Sequence, residues 1–452
     1  MTGLAAWAGQ WLWGSGTLAL LMGTGVFLTV RLRFLPWRNL GYALSSALGR
    51  KARRRAAPGE VSPFSALMTA LGATVGTGNI VGVATALTAG GPGALVWMEL
   101  AALVGMSTTF TECLLSVRWR QRGRDGAFTG GPMYVMRRGL GGRPGRILGA
   151  AFALFAVGVS LGMGSAAQAS AMTQAAGAAF GIPTWICALA AAALVLPAVL
   201  GGRRSVAAVS TLVVPAMLGV YLAASAAVIL GNLAHLPESL GLILRCAFSP
   251  RAAAGGAAGC AVTALDALRY GVSRGVFSNE AGLGSAGICA ASAASDSPVR
   301  QAYIGMTGVF FDTTVVCTAT ALAICCSGVL GQADGAALTI LAFQTVLGPL
   351  GGALVAFSVL LFAFSSILGW AYQGEQAFAY LTGGRFITPY RCAFLLSVFC
   401  GGAGAPEAVL IWSDLCNALM CLPNLTSLLL LSGTAAWEAR RFQSVIRSEG
   451  NR

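Results

Sequence analysis

The sequence predicts an all-α membrane protein whose chain crosses the bilayer eleven times. The chain has 452 residues, of which 56% are hydrophobic and only 10% are charged, and its mean hydropathy is +0.75. Apolar segments recur along the whole chain, and basic residues alternate between the loops that connect them. Soluble domains carry about 25% charged residues. This composition therefore excludes a soluble protein and indicates a polytopic one that resides in a lipid bilayer.

Eleven apolar segments are candidate spans, because a helix needs about 20 mostly apolar residues to cross the hydrocarbon core. They cover residues 15–33, 63–90, 93–116, 147–177, 183–202, 206–231, 259–291, 302–330, 347–372, 390–404 and 407–435. The tenth is the shortest. The first lacks a preceding basic region and a small-residue cleavage site, so we expect a retained span rather than a cleaved signal peptide.

The net charge of +14 is distributed unevenly between the loops. Of the 29 Lys and Arg residues, 25 lie in the odd-numbered loops and the C-terminal tail, and only Arg245 and Arg251 lie in the even-numbered loops. The positive-inside rule then predicts an outside N-terminus and a cytoplasmic C-terminus, in the cytoplasmic membrane of a bacterium. No basic stripe with interleaved aromatic residues lies outside the spans, which argues against nucleic-acid binding.

Two of the spans are interrupted by glycines and polar residues. The second span contains four glycines and an asparagine between Gly72 and Gly82, and the seventh contains the segment 273–282, Ser-Arg-Gly-Val-Phe-Ser-Asn-Glu-Ala-Gly. Backbone that unwinds at membrane depth must bond to something other than lipid. Paired interruptions in two halves of a chain indicate a transporter binding site. The alternative is that the glycines only allow close helix packing.

The positions of the interrupted spans predict an inverted repeat. Five spans separate their starts, so the two run in opposite directions through the membrane. Spans two to six and seven to eleven then form two five-helix units of opposite topology, a ten-helix core with one extra N-terminal helix. The predicted units are residues 1–62 with the extra helix and a basic cytoplasmic loop, 63–240 and 241–436 as the two repeats, and 437–452 as a cytoplasmic tail.

The chemistry of the interruptions suits a zwitterion. A half-helix that begins around Thr77 has free amides and the positive end of a dipole, which suit a carboxylate. The preceding half-helix ends near Val75 and exposes carbonyls that suit a small hard cation. The seventh span offers carbonyls around Gly275–Phe277 and the side chains of Ser278 and Asn279. The residues alone therefore indicate an amino acid as the substrate.

At these positions the sequence resembles the sodium:alanine symporters, the alanine or glycine:cation symporter family. The resemblance covers nearly the whole chain and is carried by residues 72–84, 90–98, 130–134, 274–286, 311–313 and 363–370. It implies the leucine-symporter-like fold, with ten core helices in two inverted repeats plus an eleventh helix. It also implies sodium-coupled uptake of a small neutral amino acid, alanine or glycine, by alternating access. Sodium is the coupling ion, and no other cofactor is expected.

The resemblance also implies roles for individual residues. The expected cation ligands are the carbonyls of Gly72 and Val75, Asn79, and the hydroxyls of Ser365 and Ser366. The expected substrate-binding residues are Thr74, Thr77, Gly78, Gly164, Gln168, Phe277, Asn279 and Trp370. Trp370 lies four residues after Ser366 and so on the same helix face. Its indole would leave room for a substrate side chain of about one methyl group.

Four positions depart from the family pattern. The family usually has asparagine where this chain has Ser165 and Ser170, tryptophan where it has Glu99, and tyrosine where it has Gln373. Ser165 and Ser170 lie on a span that is expected to line the pocket. These two departures therefore bear on the range of substrates more than on the fold.

Charged residues inside the spans offer further candidates. Asp312 lies about ten residues into the eighth span, and a buried carboxylate there is a functional hypothesis by default. The competing interpretation is a structural salt bridge to Arg274 or Arg269. Glu280 follows the second interruption, where it pairs with Arg274 or gates access.

Three other functions compete with sodium symport. Proton-coupled amino-acid transport would use a carboxylate such as Asp312, since the one histidine, His235, lies in an outside loop. An intramembrane enzyme is disfavoured because His-Glu-x-x-His and a paired carboxylate are both absent. A channel would favour repeated polar filters over two dissimilar interruptions.

Glu112 and Glu375, near cytoplasmic helix ends, are expected to pair with arginines rather than bind ions.

Overall fold

The computed structural model describes residues 15–50, 52–53, 61–123, 126–248, 263–404 and 407–450. In the first half of the chain the helices are α1 (Ser15–Arg31), α2 (Leu35–Arg38), α3 (Leu40–Leu48), α4 (Pro63–Thr74), α5 (Val81–Gly90), α6 (Ala94–Arg118), α7 (Pro132–Val135), α8 (Gly142–Leu161), α9 (Gln168–Phe180), α10 (Thr184–Leu200) and α11 (Gly202–Gly231). In the second half they are α12 (Leu236–Phe248), α13 (Ala264–Asn279), α14 (Ser285–Ala291), α15 (Pro298–Val309), α16 (Thr318–Cys326), α17 (Gly335–Leu347), α18 (Pro349–Thr382), α19 (Ile387–Gly404), α20 (Glu407–Arg441) and α21 (Gln443–Gly450).

Short elements join these helices. Turns of 3-10 helix cover Thr77–Asn79 and Leu233–His235, and π-helical turns cover Met136–Leu140, Met163–Ala167 and Phe310–Cys317. A small antiparallel hairpin pairs β1 (Gln121–Arg122) with β2 (Phe128–Thr129). The predicted start of the seventh span, and the basic residues Lys51, Arg54, Arg55, Arg124, Arg251 and Arg452, lie outside the described residues.

The expected all-α membrane class is confirmed. Within the described residues, helix is present in each segment predicted as a span, and six helical stretches are long and apolar enough to cross a bilayer. Four further apolar helices are shorter. Large apolar side chains stay exposed on the long helices, as expected of faces that contact lipid; they include Leu154, Leu189, Leu212, Leu230, Leu396 and Leu430.

Some helices are longer than predicted, or were not predicted. The tenth predicted span forms α19, which has 18 residues, and the ninth forms α18, which has 34. Helices α12 and α17 lie in loops between the predicted spans. Helix α17 packs on the second predicted span, where the Thr339 hydroxyl donates to the Ile80 carbonyl at 3.4 Å.

The second predicted span is interrupted where the sequence indicates. Helix α4 begins at a Ser62 N-cap, whose hydroxyl accepts from the Ser65 amide at 3.1 Å, with proline at the first helical position. The helix ends at Thr74 because Val75 and Gly76 take extended conformations, and regular helix resumes with α5. We call residues 75–80 the first break.

The seventh predicted span is interrupted later than the sequence indicates. Helix α13 continues to Asn279, and the chain then leaves the helix through left-handed conformations at Glu280 (φ 53°), Gly282 (φ 97°) and Gly284 (φ 88°). We call residues 280–284 the second break. The predicted unwinding around Gly275–Phe277 is therefore wrong. A Cβ on Gly275 would lie 3.1 Å from Met98 Cα on α6, so close packing explains this glycine.

Helix α18 crosses the end of α4 at backbone contact. A Cβ added to Gly369 would lie 2.6 Å from the Ala73 nitrogen and 2.7 Å from its Cα. On the same face, Gly72 lies opposite Ser365. This close crossing places the hydroxyl groups of α18 directly against the first break.

We expect Gly369→Ala to lower the melting temperature of the purified protein in detergent. The added methyl group would force α4 and α18 apart, and overpacking of this kind costs about 1–3 kcal/mol. Gly219→Ala is the matched control, because nothing lies within 4 Å of a Cβ at that position on α11. Equal melting temperatures for the two variants would contradict the close crossing.

Candidate functional site

The side chain of Asn79 holds the first break. It is fully buried, and its Oδ1 accepts from the Gly76 amide at 2.9 Å. Its Nδ2 donates to the Asp312 carbonyl oxygen at 3.0 Å and to the Asp312 carboxylate at 2.9 Å. The other oxygen of that carboxylate accepts from Ser278 at 2.8 Å and from Thr313 at 2.9 Å. Asp312 therefore joins the first break to the end of α13.

The first break leaves two amides without an acceptor. The Gly76 amide bonds to the Asn79 side chain, and the amides of Asn79 and Ile80 bond to the carbonyls of Gly76 and Thr77 at 3.2 and 3.3 Å. In the described part of the chain, the amides of Thr77 and Gly78 have no acceptor. They lie at the start of the half-helix that continues as α5, where a carboxylate is favoured.

A cavity of about 30 Å³ lies beside these amides. Its walls include five of the predicted substrate-binding residues, Thr74, Gly78, Gln168, Phe277 and Trp370. Thr77 is a sixth predicted substrate-binding residue. It contacts the cavity wall through its hydroxyl, which donates to Gln168 Oε1 at 3.3 Å. A water molecule needs roughly 10–15 Å³. The cavity thus has room for a solute of only a few heavy atoms.

Trp370 closes one side of the cavity. Its ring packs on Gly164, where an added Cβ would lie 2.9 Å from Trp370 Cδ2. Its indole Nε1 donates to Glu280 Oε1 at 3.2 Å, and Glu280 Oε2 accepts from the Ser285 hydroxyl at 2.6 Å. Gly164 is not part of the cavity wall. Because Gly164 has no side chain, the Trp370 indole can pack directly against its backbone.

Oxygen atoms also gather where α18 meets the first break. The Ser366 hydroxyl is buried, has no partner among the described residues, and would lie 2.6 Å from a Cβ on Gly76. Ser365 donates its hydroxyl to the Phe362 carbonyl at 2.9 Å, and its own carbonyl faces Gly72. These groups surround the C-terminal end of α4. Its dipole and its unwound carbonyls, which include that of Val75, favour a cation there.

Asn279 lies elsewhere than predicted. Its Nδ2 donates to Thr313 Oγ1 at 3.2 Å and its Oδ1 accepts from the Ala281 amide at 3.0 Å. It is not part of the cavity wall. Asn279 thus braces the second break instead of contacting the cavity. The late end of α13 is the physical reason, because it turns this side chain toward the Phe310–Cys317 turn.

Most buried carboxylates bond to polar groups rather than to arginines. Within the described residues no ion pair joins Asp312 to Arg274 or Arg269, or Glu280 to Arg274, so the salt-bridge interpretation is wrong. Glu375 does pair with an arginine as expected, with its Oε2 2.6 Å from Arg391 Nε.

The expected arginine pairing of Glu112 is also wrong. The residue is only 1% exposed, and its Oε1 accepts from the amides of Gly282 and Gly284 at 3.0 and 3.1 Å. The same oxygen accepts from Asn424 Nδ2 at 2.7 Å. Glu112 on α6 therefore holds the second break against α20.

The cavity residues that the sequence analysis missed include Val159, Met163 and Asn417. The polar one, Asn417, is one of a few polar residues in the last predicted span, which is the signal that could have found it. The departures from the family pattern lie away from the wall. Ser165 bonds to Ser397 at 3.0 Å, and Ser170 accepts from a glutamine of its own helix at 3.0 Å.

The family model of the sodium:alanine symporters matches residues 1–452. The chain belongs to the sodium:alanine symporter family. It is 41% identical over 446 residues to the sodium/alanine symporter AgcS of Methanococcus maripaludis, covering 97% of each chain. It is 45% identical over 429 residues to an uncharacterized transporter of Haemophilus influenzae, covering 93% of this chain and 91% of the relative.

A third relative is the amino-acid carrier protein AlsT of Bacillus subtilis, 35% identical over 419 residues, covering 92% of this chain and 87% of the relative. The resemblance drawn from the sequence is thus confirmed. The chain is a multi-pass membrane transporter for amino acids and a cation, and it is not an enzyme.

We expect Gly164→Ala to reduce the uptake of labelled alanine into proteoliposomes. The new methyl group would displace the Trp370 ring, and overpacking of this kind costs about 1–3 kcal/mol. Gly177→Ala, on the following helix α9, is the control because its Cβ would meet only the Ile182 carbonyl at 3.5 Å. Equal uptake by the two variants would show that Gly164 does not position the indole.

Proposed function

We propose that this family member carries a small neutral amino acid, alanine or glycine, into the cell together with sodium. One observation supports this most strongly. The first break presents two amides without acceptors beside a small cavity, and the buried hydroxyl of Ser366, which has no partner in the described residues, lies against Gly76 of the same break. The amides suit a carboxylate, and this hydroxyl together with the carbonyls at the end of α4 suits a small cation.

The far wall of the cavity offers groups for an ammonium. The carboxylate of Glu280 and the carboxamide of Asn417 both line it, and Asn417 Oδ1 is buried without a partner in the described residues. The last carbonyls of α13 lack helical partners. A zwitterion would therefore bind with its carboxylate at Thr77 and Gly78 and its ammonium toward the second break. The small volume favours glycine or alanine over larger substrates.

Sodium and substrate would reinforce each other through the first break. A sodium ion held by the carbonyls of Gly72 and Val75 and by the hydroxyls of Ser365 and Ser366 would order the segment that carries the substrate-binding amides. The amino acid then binds better, and by thermodynamic reciprocity it raises the affinity for sodium by the same factor. This coupling is what a symporter requires.

We further propose eleven spans, with residues 63–240 and 241–436 as inverted repeats, Ser15–Arg31 as the extra helix and 437–452 as a cytoplasmic tail. The contacts of two carboxylates support the repeats. Glu112 lies in the span that follows the first interrupted span and bonds to the second break. Asp312 lies in the span that follows the second interrupted span and bonds to the first break. The basic loops favour an outside N-terminus in a bacterial cytoplasmic membrane.

Proton-coupled amino-acid transport is the second candidate. The observation that favours it is that Asp312 and Glu280 are buried and form no ion pair in the described residues. Buried carboxylates of this kind serve as proton relays in many transporters. Under this alternative Asp312, which contacts both interrupted spans, would carry the proton.

Uptake of labelled alanine into proteoliposomes separates the two candidates. We expect an inward sodium gradient at equal pH to drive accumulation, because the cation is taken up at the first break. We expect a proton gradient in sodium-free buffer to drive none. Accumulation with protons alone would contradict sodium coupling and favour the second candidate.

We expect Ser366→Ala to raise the sodium concentration for half-maximal uptake about tenfold, since a lost buried polar partner is worth about 1.4 kcal/mol. Alanine affinity at saturating sodium should change far less. Ser358→Ala on the same helix is the control, because that hydroxyl bonds to the Leu354 carbonyl at 2.7 Å, away from the break. An unchanged sodium response would remove Ser366 from the cation site.

A further inference from the structure

The carboxyl group of Glu112 has one saturated oxygen and one unpaired oxygen. Oε1 accepts three hydrogen bonds, from the amides of Gly282 and Gly284 and from Asn424 Nδ2. Oε2 accepts none within the described residues, although it is fully buried. An ionised carboxylate spreads its charge over both oxygens and accepts on both. The contacts of Glu112 therefore differ from those of an ionised group.

A second unpaired atom lies in the partner residue. Asn424 is 1% exposed, and its Oδ1 has no partner in the described part of the chain. The orientation of this carboxamide is determined by its nitrogen, which donates to Glu112 Oε1 at 2.7 Å and to the Gly282 carbonyl at 2.9 Å. The two unpaired atoms thus belong to two side chains that are already joined by a short hydrogen bond.

Within the described residues, no positive charge acts on Glu112. The titratable groups that interact with it are Glu280 at the second break and Cys113 on its own helix, and Cys113 in turn faces Cys289 on α14. No ion pair links Glu112 to an arginine within the described residues. A buried charge without a partner is strongly disfavoured, and a neighbouring carboxylate makes it worse. Asp312 and Glu280, by contrast, accept on both of their oxygens.

We propose that Glu112 is a proton-binding site whose proton resides on Oε2 and is donated to Asn424 Oδ1. The acid and the carboxamide then form a ring closed by two hydrogen bonds, from Asn424 Nδ2 to Oε1 and from Oε2 to Asn424 Oδ1. One proton satisfies both unpaired atoms and removes the buried charge. Oε1 keeps its bonds to the amides of Gly282 and Gly284, so a neutral acid clamps the second break.

Infrared spectroscopy of the full-length protein in lipid nanodiscs tests this site without any transport measurement. We expect the wild type to show the C=O stretch of a protonated carboxylic acid, to lose it in Glu112→Gln, and to shift it in Asn424→Ala. Glu375→Gln is the control and should remove carboxylate bands, because Glu375 is paired with Arg391. If Glu112→Gln instead loses carboxylate bands, Glu112 is ionised and the proposal is overturned. A water molecule or a cation would then be the partner of Oε2.

Thermal unfolding of the same variants provides a second test. A glutamine reproduces the neutral acid, since its carbonyl can accept the three bonds and its amide can donate to Asn424 Oδ1. We therefore expect the fall in melting temperature for Glu112→Gln to be several-fold smaller than for Glu112→Ala. Equal falls, or a Glu112→Gln protein that does not fold, would contradict the proposal. An acid C=O stretch that does not shift in Asn424→Ala would also contradict it.

Discussion

Main-chain amides and carbonyls inside a bilayer must be hydrogen-bonded within the protein, and this constraint governs both interrupted helices. At the first break the Asn79 side chain replaces a lost helical bond, and Asp312 anchors it in turn. At the second break Glu112 accepts from the amides of Gly282 and Gly284. Each break is thus held by a carboxylate from a helix that is distant in the sequence.

The groups that this scaffold leaves unpaired are the ones on which the proposed site rests. At the first break they are the amides of Thr77 and Gly78 on the cavity side and the hydroxyl of Ser366 on the side of α18. Asp312 also reaches Ser278 on the cavity wall, so a displacement at one interrupted span acts on the other through a single carboxylate. Under the proposed function, this carboxylate would couple the movements of the two interrupted spans.

The sequence predicts the first break correctly. Four glycines and an asparagine within one apolar span are difficult to explain except by an unwound helix. The second break was misplaced because Gly275 serves close packing against α6, and a packing glycine looks like an unwinding glycine in the sequence. The role of Glu112 was missed for a different reason. Its contacts with Gly282 and Asn424 lie 170 and 312 residues away, and no local pattern records such pairs.

The central claim is that interrupted main chain at the first break is the receptor for the substrate carboxylate. A cryo-EM structure determined with alanine and sodium tests it most directly. The account predicts the alanine carboxylate within hydrogen-bond distance, about 3 Å, of the amide nitrogens of Thr77 and Gly78, with sodium density beside Ser366. A carboxylate bound to an arginine or elsewhere in the bundle, with these two amides unengaged, would contradict the account.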